Sequence, residues 1–471
     1  MNTLLEADKL EVINAGLKRF ASDVKSQNMK ASNVEWKPLA GGRKDIIEAL
    51  DRIEAVRDKI KKANKQVIEK MKTSKPMLVD IDLAINCIPG MKPNLILHAG
   101  PPIDWKNMCG PMKGAVIGAV IFEGLADNED EALKLIEAGK IEFAPCHEYG
   151  AVGPMAGIVC ASMPVHIIKD IANNTYAYCS VNEGLGKVLR FGAYSDEVLT
   201  RLRYLRDDFM PVLKKALALT DGIDIKLITA QALQMGDECH NRNKAATSLF
   251  YKQISLLILK AEENKERAVK ALEFISGNDH YFLNISMPAC KIILKSGENV
   301  EYSTILNVMA RNGVEFGIKL CGLESSDWYT YDSNYIEGLY FPGYSQEDAN
   351  RDIGDSAITE TMGIGGFAMG GAPAIVQFVG GTTDDAIATS KRMYTITTDI
   401  NPSYAIPALN FKGCPMGIDM LKVIETDTLP VINTGIAHKD AGIGQIGAGI
   451  VSPPMECFYK ALLAYVKKYN L

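Results

Sequence analysis

Residues 195–213 read SDEVLTRLRYLRDDFMPVL, and this stretch divides the chain. Ser195 occupies an N-cap position, and Asp196 and Glu197 follow where a helix dipole favours negative charge. Val198, Leu202, Leu205, Phe209 and Leu213 then keep one helical face apolar, and Pro211 is expected to kink or restart the helix. Helical spacing continues at about Lys244–Lys260 and at Lys265–Ile275. On both sides of this block, short apolar runs alternate with Gly/Pro loops. The order predicts an α/β (α+β) chain: two mixed α/β domains with a helical domain between them, and a small N-terminal segment. The expected boundaries are 1–75 for that mostly helical segment, 76–192 for the first α/β domain with Gly/Pro-rich loops, 193–279 for the helical domain and 280–471 for the second α/β domain.

The flanks supply the individual elements. An amphipathic stretch at Leu10–Val24 leads to an extended piece at Ala31–Trp36, a Gly41-Gly42 turn and a long helix carrying Ile46, Ile53, Val56 and Ile60. Met77–Ile88 and Ile141–Pro145 read as strands, Asn128 as the cap of a helix ending before Gly139, and Asn173-Asn174 as a hairpin turn. Strands are also expected at Phe282–Ser286, Val314–Lys319 and Leu429–Gly435. A closing helix is expected after Pro453-Pro454.

Composition excludes several classes. With 471 residues, 47% hydrophobic and 23% charged, the chain can bury a large core without disulfide or metal staples. A formal charge of −6 argues against a nucleic-acid binder but leaves room for a local anion pocket. The ten cysteines include no C-x-x-C pair, so neither a zinc ribbon nor a disulfide scaffold is expected. Met1–Val12 lacks the apolar core of an export signal. Glycines and Pro373 interrupt the longest uncharged stretch, Thr361–Thr383, so no membrane span is expected. These features together read as a cytoplasmic protein.

The standard motifs fail. There is no P-loop and no H-E-x-x-H, and no histidine sits in a ligand-spaced cluster, so neither a metal nor a cofactor is expected. Gly442-Ile443-Gly444-Gln445-Ile446-Gly447 matches G-x-G-x-x-G, but it is not preceded directly by a strand or followed by a helix, which a dinucleotide site requires. Such a loop better suits backbone donation to an anion. Cys146-His147 and Cys239-His240 are poor nucleophile–base pairs, because adjacent side chains diverge on both strands and helices.

What remains is a repeated pattern of polar-glycine segments between apolar runs: LHAGPPIDW, GPMKGA, AVGPMAG, NEGLGKVLRFG, MGDECHNRN, MARNGVEFGI, GLYFPGY, GDSAITETMGIGGFAM and INTGIAHKDAGIGQIGAG. Glycine lets backbone approach a ligand, and free N–H groups bind carboxylate or phosphate oxygens. There is a plainer use for each. Asp237, Asn241 and Asn243 equally suit a helix cap, and Lys187 and Arg190 a solvated pair.

Taken together, these segments resemble the YlbE-like or AllG-like family, and the resemblance runs from INAGLKRFA near the N-terminus to the last helix. It implies two unusual α/β domains with a helical domain. It also implies a role as a subunit of a heteromeric oxamate carbamoyltransferase in anaerobic purine and allantoin breakdown. The partners implied are an FdrA-like subunit and a third, smaller one; a homo-oligomer is also compatible with the resemblance. The implied reaction interconverts oxalurate and phosphate with oxamate and carbamoyl phosphate. The chain lacks the S-x-R-T-R phosphate loop of aspartate and ornithine carbamoyltransferases, so no catalytic residues transfer from those enzymes. Two other readings stay open: a non-catalytic binding or assembly subunit, and an enzyme acting on another small amide or acid.

Site candidates therefore rest on chemistry. Small anionic substrates call for cations, and Lys187, Arg190, Arg242 and Arg311 each lie in or beside a polar-glycine segment. His147, His240 and His438 suit polarisation or proton transfer. Gly442, Gly444 and Gly447 are expected to offer backbone donors. The anion site is expected where NEGLGKVLR and ECHNRN meet this C-terminal glycine loop.

Overall fold

The computed structural model describes residues 11–34 and 36–471, which divide into a small unit ending at Asp51 and a large one beginning at Arg52. In the small unit, strands Glu11–Ala15 and Lys30–Val34 pair in parallel, and helix Lys18–Ser26 makes the crossover between them. The stretch expected to be one amphipathic run is thus split at Gly16, whose φ of +140° suits glycine. Leu10 and most of Met1–Val12 lie outside the described residues. The expected long helix is interrupted: Lys44–Ile53 is followed by a tight turn at Glu54–Val56 and then by Arg57–Thr73.

The large unit mixes helices with several small sheets, as an α/β chain should. An antiparallel sheet runs in the order Thr175–Ser180, Pro164–Asp170, Pro76–Leu83, Ile223–Asp224. Asn174, at φ +51°, turns its hairpin. Strands Leu95–His98 and Glu142–Pro145 pair in parallel, with helices Gly110–Phe122 and Glu129–Glu137 between them. A second antiparallel sheet is ordered Tyr329–Asp332, Glu315–Leu320, Leu306–Asn312, Ile353–Gly354. A third places Gln445–Val451 between Glu337–Tyr340 and Ile432–Ala437. The glycine loop therefore opens a strand, not a helix.

Helices Asp196–Tyr204, Met210–Leu217, Ile225–Gln234, Lys244–Ala261 and Lys265–Ser276 form the helical block. Between the first two, Leu205–Phe209 forms a wide π-type turn, so Pro211 enters near a new N-terminus where its missing N–H costs nothing. The expected strand at Phe282–Ser286 is instead the start of helix Leu283–Lys295. Twelve of its residues, Leu283–Leu294, are buried. A helix enclosed on all sides carries no polar face, so its apolar run reads like a strand. It packs against strand Thr175–Ser180 and holds Asn284, whose Nδ2 donates to Ser180 O at 2.8 Å.

Candidate functional site

Strand Thr175–Ser180 delivers the segment Asn182–Arg190, which folds around its own acid. The Glu183 carboxylate accepts from the N–H groups of Leu189 (2.9 Å) and Arg190 (3.3 Å). Burial raises the pKa of Glu183, and the same desolvation lowers that of Arg190. Arg190 donates to Asn182 Oδ1 at 3.2 Å and to Gly184 O. Asn182 is fixed in turn by Asn278 and Asn284.

The second segment, Asp237–Asn243, precedes helix Lys244–Ala261. Asp237 accepts from Cys239 N and Ala246 N, at 2.9 and 3.0 Å, and so ties the loop to the helix, which is the capping use foreseen for it. Glu238 accepts through Oε1 from Asn241 N, Arg242 N and Asn433 Nδ2. Burial, reinforced by neighbouring Asp237, pushes its carboxyl up to about 8. The His240 ring is buried, with Nδ1 2.7 Å from Glu360 Oε1. Glu360 is fully buried and also accepts from Gly366 N (2.7 Å) and Thr359 Oγ1 (2.9 Å). A carboxylate acceptor at Nδ1 assigns the proton of a neutral imidazole to that nitrogen and leaves Nε2 the lone pair.

These segments meet the C-terminal strands at two adjoining hollows. A small inner cavity of about 40 Å³ is lined by Asn182, Arg190, His240, His280, Thr434 and Gln445, among others. An outer cleft of about 330 Å³ continues from it past Arg242, Asp279, Phe341, Phe378 and Ile443. Leu185, Asn241, His280 and Gln445 line both. Five buried polar atoms around them have no hydrogen-bond partner among the described residues: Glu238 Oε2, Asn241 Nδ2, Arg242 Nε, Asn243 Oδ1 and Asn433 Oδ1. Native interiors rarely leave such groups unpaired, so water or a polar ligand is needed to satisfy them; Asn241, Arg242 and Asn243 line the outer cleft, and Glu238 and Asn433 lie behind it.

The other candidates line neither hollow. Arg311 is fully buried and its fork is occupied: Nε and Nη2 grip Asp352 at 2.7 and 2.8 Å, and Nη1 donates to Gly354 O at 2.7 Å. That commitment holds strand Leu306–Asn312 against the chain at Asp352–Gly354. Lys187 is exposed and lines neither hollow. His438 accepts from Asp440 N at 2.9 Å and packs on Tyr344. His147 lies in a different cluster, beside Trp328 and Asp355. Gly442 spends its N–H on Phe191 O (2.8 Å), and Gly447 sits within the sheet ladder. At Gly444, φ is +108° and an added Cβ would approach Gly186 O to 3.1 Å, so this glycine permits contact with the NEGLGK segment. Glu360 and His280 are site residues that sequence reasoning did not single out. Glu360 lies inside the quoted GDSAITETMGIGGFAM segment, whereas His280 belongs to no motif. Burial holds the His280 imidazole down at about 4.

The profile of a family described as oxamate carbamoyltransferase subunit AllG matches residues 141–356, which include both site segments. The chain is 46% identical to the uncharacterized protein YahG of Escherichia coli K12 over the full length of both. It is 45% identical to the oxamate carbamoyltransferase subunit AllG of the same organism, over 88% of this chain and 99% of that one. A crystal structure of a conserved protein of unknown function from Enterococcus faecalis V583 superposes with a TM-score of 0.86 at 49% identity, covering 88% of this chain and 99% of that one. The chain belongs to the AllG family. No helix among the described residues is long and apolar enough to cross a membrane.

Proposed function

We propose that this chain is a subunit of an oxamate carbamoyltransferase-type enzyme and that the paired hollows bind its anionic substrates. The observation that supports this most is the meeting of Arg190, Arg242 and the His240–Glu360 pair at one surface rich in unpaired polar atoms. In the phosphorolytic direction, a phosphate oxygen attacks the carbamoyl carbon of oxalurate. The C–N bond to oxamate then breaks, and the departing nitrogen takes a proton. Arg190 and Arg242 bind carboxylate and phosphate oxygens. Asn241 Nδ2 donates to the carbamoyl oxygen as it gains charge. His240, held by Glu360, takes the proton of the attacking phosphate on Nε2 and passes it to the departing nitrogen, and the same relay runs backwards in the reverse direction. These steps require no redox cofactor.

Partner subunits complete the enzyme in this reading, an FdrA-like chain and a smaller third one. Phosphate-dependent cleavage of oxalurate should be low with the chain alone and rise when both partners are added. Full activity from the isolated chain would remove the heteromeric reading. Arg190→Gln and Arg242→Gln should each weaken substrate anion binding about ten- to hundred-fold. Unchanged affinity in both folded variants would move the site elsewhere.

A further inference from the structure

A second set of buried polar groups lies apart from those hollows, where the turn Cys146–Tyr149 meets helix Leu283–Lys295 and strands Leu306–Asn312 and Glu315–Leu320. Lys291 is only 3% exposed, yet its ammonium has one charged partner among the described residues, Glu298 at 3.8 Å, which is too long for a hydrogen bond. Lys319 is 4% exposed; its Nζ donates to Ser325 O at 2.6 Å and lies 4.3 Å from the centre of the Trp328 ring. Burial first, and the Lys291 charge second, push its amine down to about 8. His147 has no hydrogen-bond partner at either ring nitrogen; its nearest acid is Asp355, at 3.5 Å. Asn307 Oδ1 is also buried and unpartnered.

The neighbouring acids do not satisfy these cations. Asp355 spends its oxygens on Gly100 N (2.8 Å) and Gly153 N (3.0 Å). Glu298 accepts from Asn307 Nδ2, and Glu148 from Trp328 Nε1 at 3.2 Å. An ammonium taken out of water without hydrogen bonds, as Lys291 is, is costly, and the nearby charge of Lys319, held only by Ser325 O and the Trp328 ring, adds to that cost. A ligand that brings negative charge and several acceptor oxygens repays both. Lysines act as point charges toward phosphate, whereas planar carboxylates are better matched by arginine forks. Trp328 is half-buried, packs edge-on against His147 at 5.9 Å and covers Lys319.

We infer that Lys291, Lys319 and His147 form a second anion site, which takes a phosphate-type dianion behind Trp328. The inference rests on this cluster and not on the carbamoyl-transfer reading. Trp328 provides its reporter, because the only other tryptophans are Trp36 and Trp105.

The test is a titration of inorganic phosphate into the full chain at constant ionic strength, followed by tryptophan emission. A saturable change is expected that is absent in Trp328→Phe. Lys291→Met should weaken the response about tenfold or more, while the ligand-free protein melts at the same or a higher temperature. His240→Gln should leave the response unaltered. A lower melting temperature in Lys291→Met would show that Lys291 and Glu298 are simply a structural pair, and it would overturn the site. So would a missing Trp328-dependent signal, unchanged phosphate affinity in Lys291→Met, or loss of the signal in His240→Gln. Acetyl phosphate serves as a second probe. A response at lower concentration than with phosphate assigns the phosphoryl end of an acyl phosphate, and the reverse order assigns free phosphate.

Discussion

Glu360 and Glu238 are both buried acids, but they are stabilised differently. Glu360 gathers donors on both oxygens and orients His240, while Glu238 leaves one oxygen without a partner. Glu360→Gln keeps the shape but loses the charged acceptor, so kcat of the assembled enzyme should fall about ten- to hundred-fold with little change in KM. Equal loss of both, or none, would remove the orienting role. Glu238 gives a pH effect of known sign. Its carboxyl sits near 8 when folded against an ordinary 4.5, so between those values the folded state binds more protons. Stability should therefore fall as pH rises through that window and level off above it. Denaturant titrations of wild type and Glu238→Gln from pH 5 to 9 should show the decline in the wild type and a flatter curve in the variant. The sequence pattern points to one anion site made by Lys187, Arg190, Arg242, His438 and the Gly442–Gly449 loop. The two hollows are instead lined by Arg190, His240 and Arg242 without Lys187 or His438, because spacing records which segments are polar but not which side chains turn inward. It could not separate Arg311 from them. An arginine in a binding loop and an arginine clamped to Asp352 look alike until the partner 41 positions away is seen.

Capping separates two helices that look equivalent in sequence. Asn128 accepts from Glu131 N at 3.0 Å and caps helix Glu129–Glu137, whereas Ser195 makes no side-chain bond to helix Asp196–Tyr204. Asn128→Ala should cost about 1 kcal/mol and Ser195→Ala less than about 0.5, measured by chemical denaturation. A larger loss at Ser195 would mean that its hydroxyl caps the helix in solution. Helices with one apolar face were legible from spacing alone, as at Lys244–Ala261 and Lys265–Ser276. The helix Leu283–Lys295 was not, because burial on every side erases the periodicity that distinguishes helix from strand. Met77–Ile88 was extended too far for a related reason. The apolar run continues through the turn Ala84–Cys87 after the strand ends at Leu83.

At the scale of the molecule, the region that matches the family profile is not a folding unit. Its strand Pro164–Asp170 pairs with Pro76–Leu83, and its strand Glu337–Tyr340 pairs with Gln445–Val451. An isolated 141–356 fragment should therefore lack a cooperative melting transition that the full chain shows; a sharp transition in the fragment would contradict this pairing scheme. Mixed α/β class was readable from the alternation of textures along the chain. Strand order was not, because partners lie as far apart as Met77 and Asp224 and no local signal records their register.

The placement of Gln445–Val451 between two earlier strands also fixes when the site can exist in a living cell. Asn182 and Arg190 leave the ribosome first, then His240, and Thr434 and Gln445 only near the end. At about 5–20 residues per second, the first wall of the cavity waits on the order of tens of seconds for the last. Until then, strand Glu337–Tyr340 lacks its partner Gln445–Val451, and Glu238 lacks Asn433, which donates to it. Nascent chains stalled before that hairpin should be the form that chaperones hold longest.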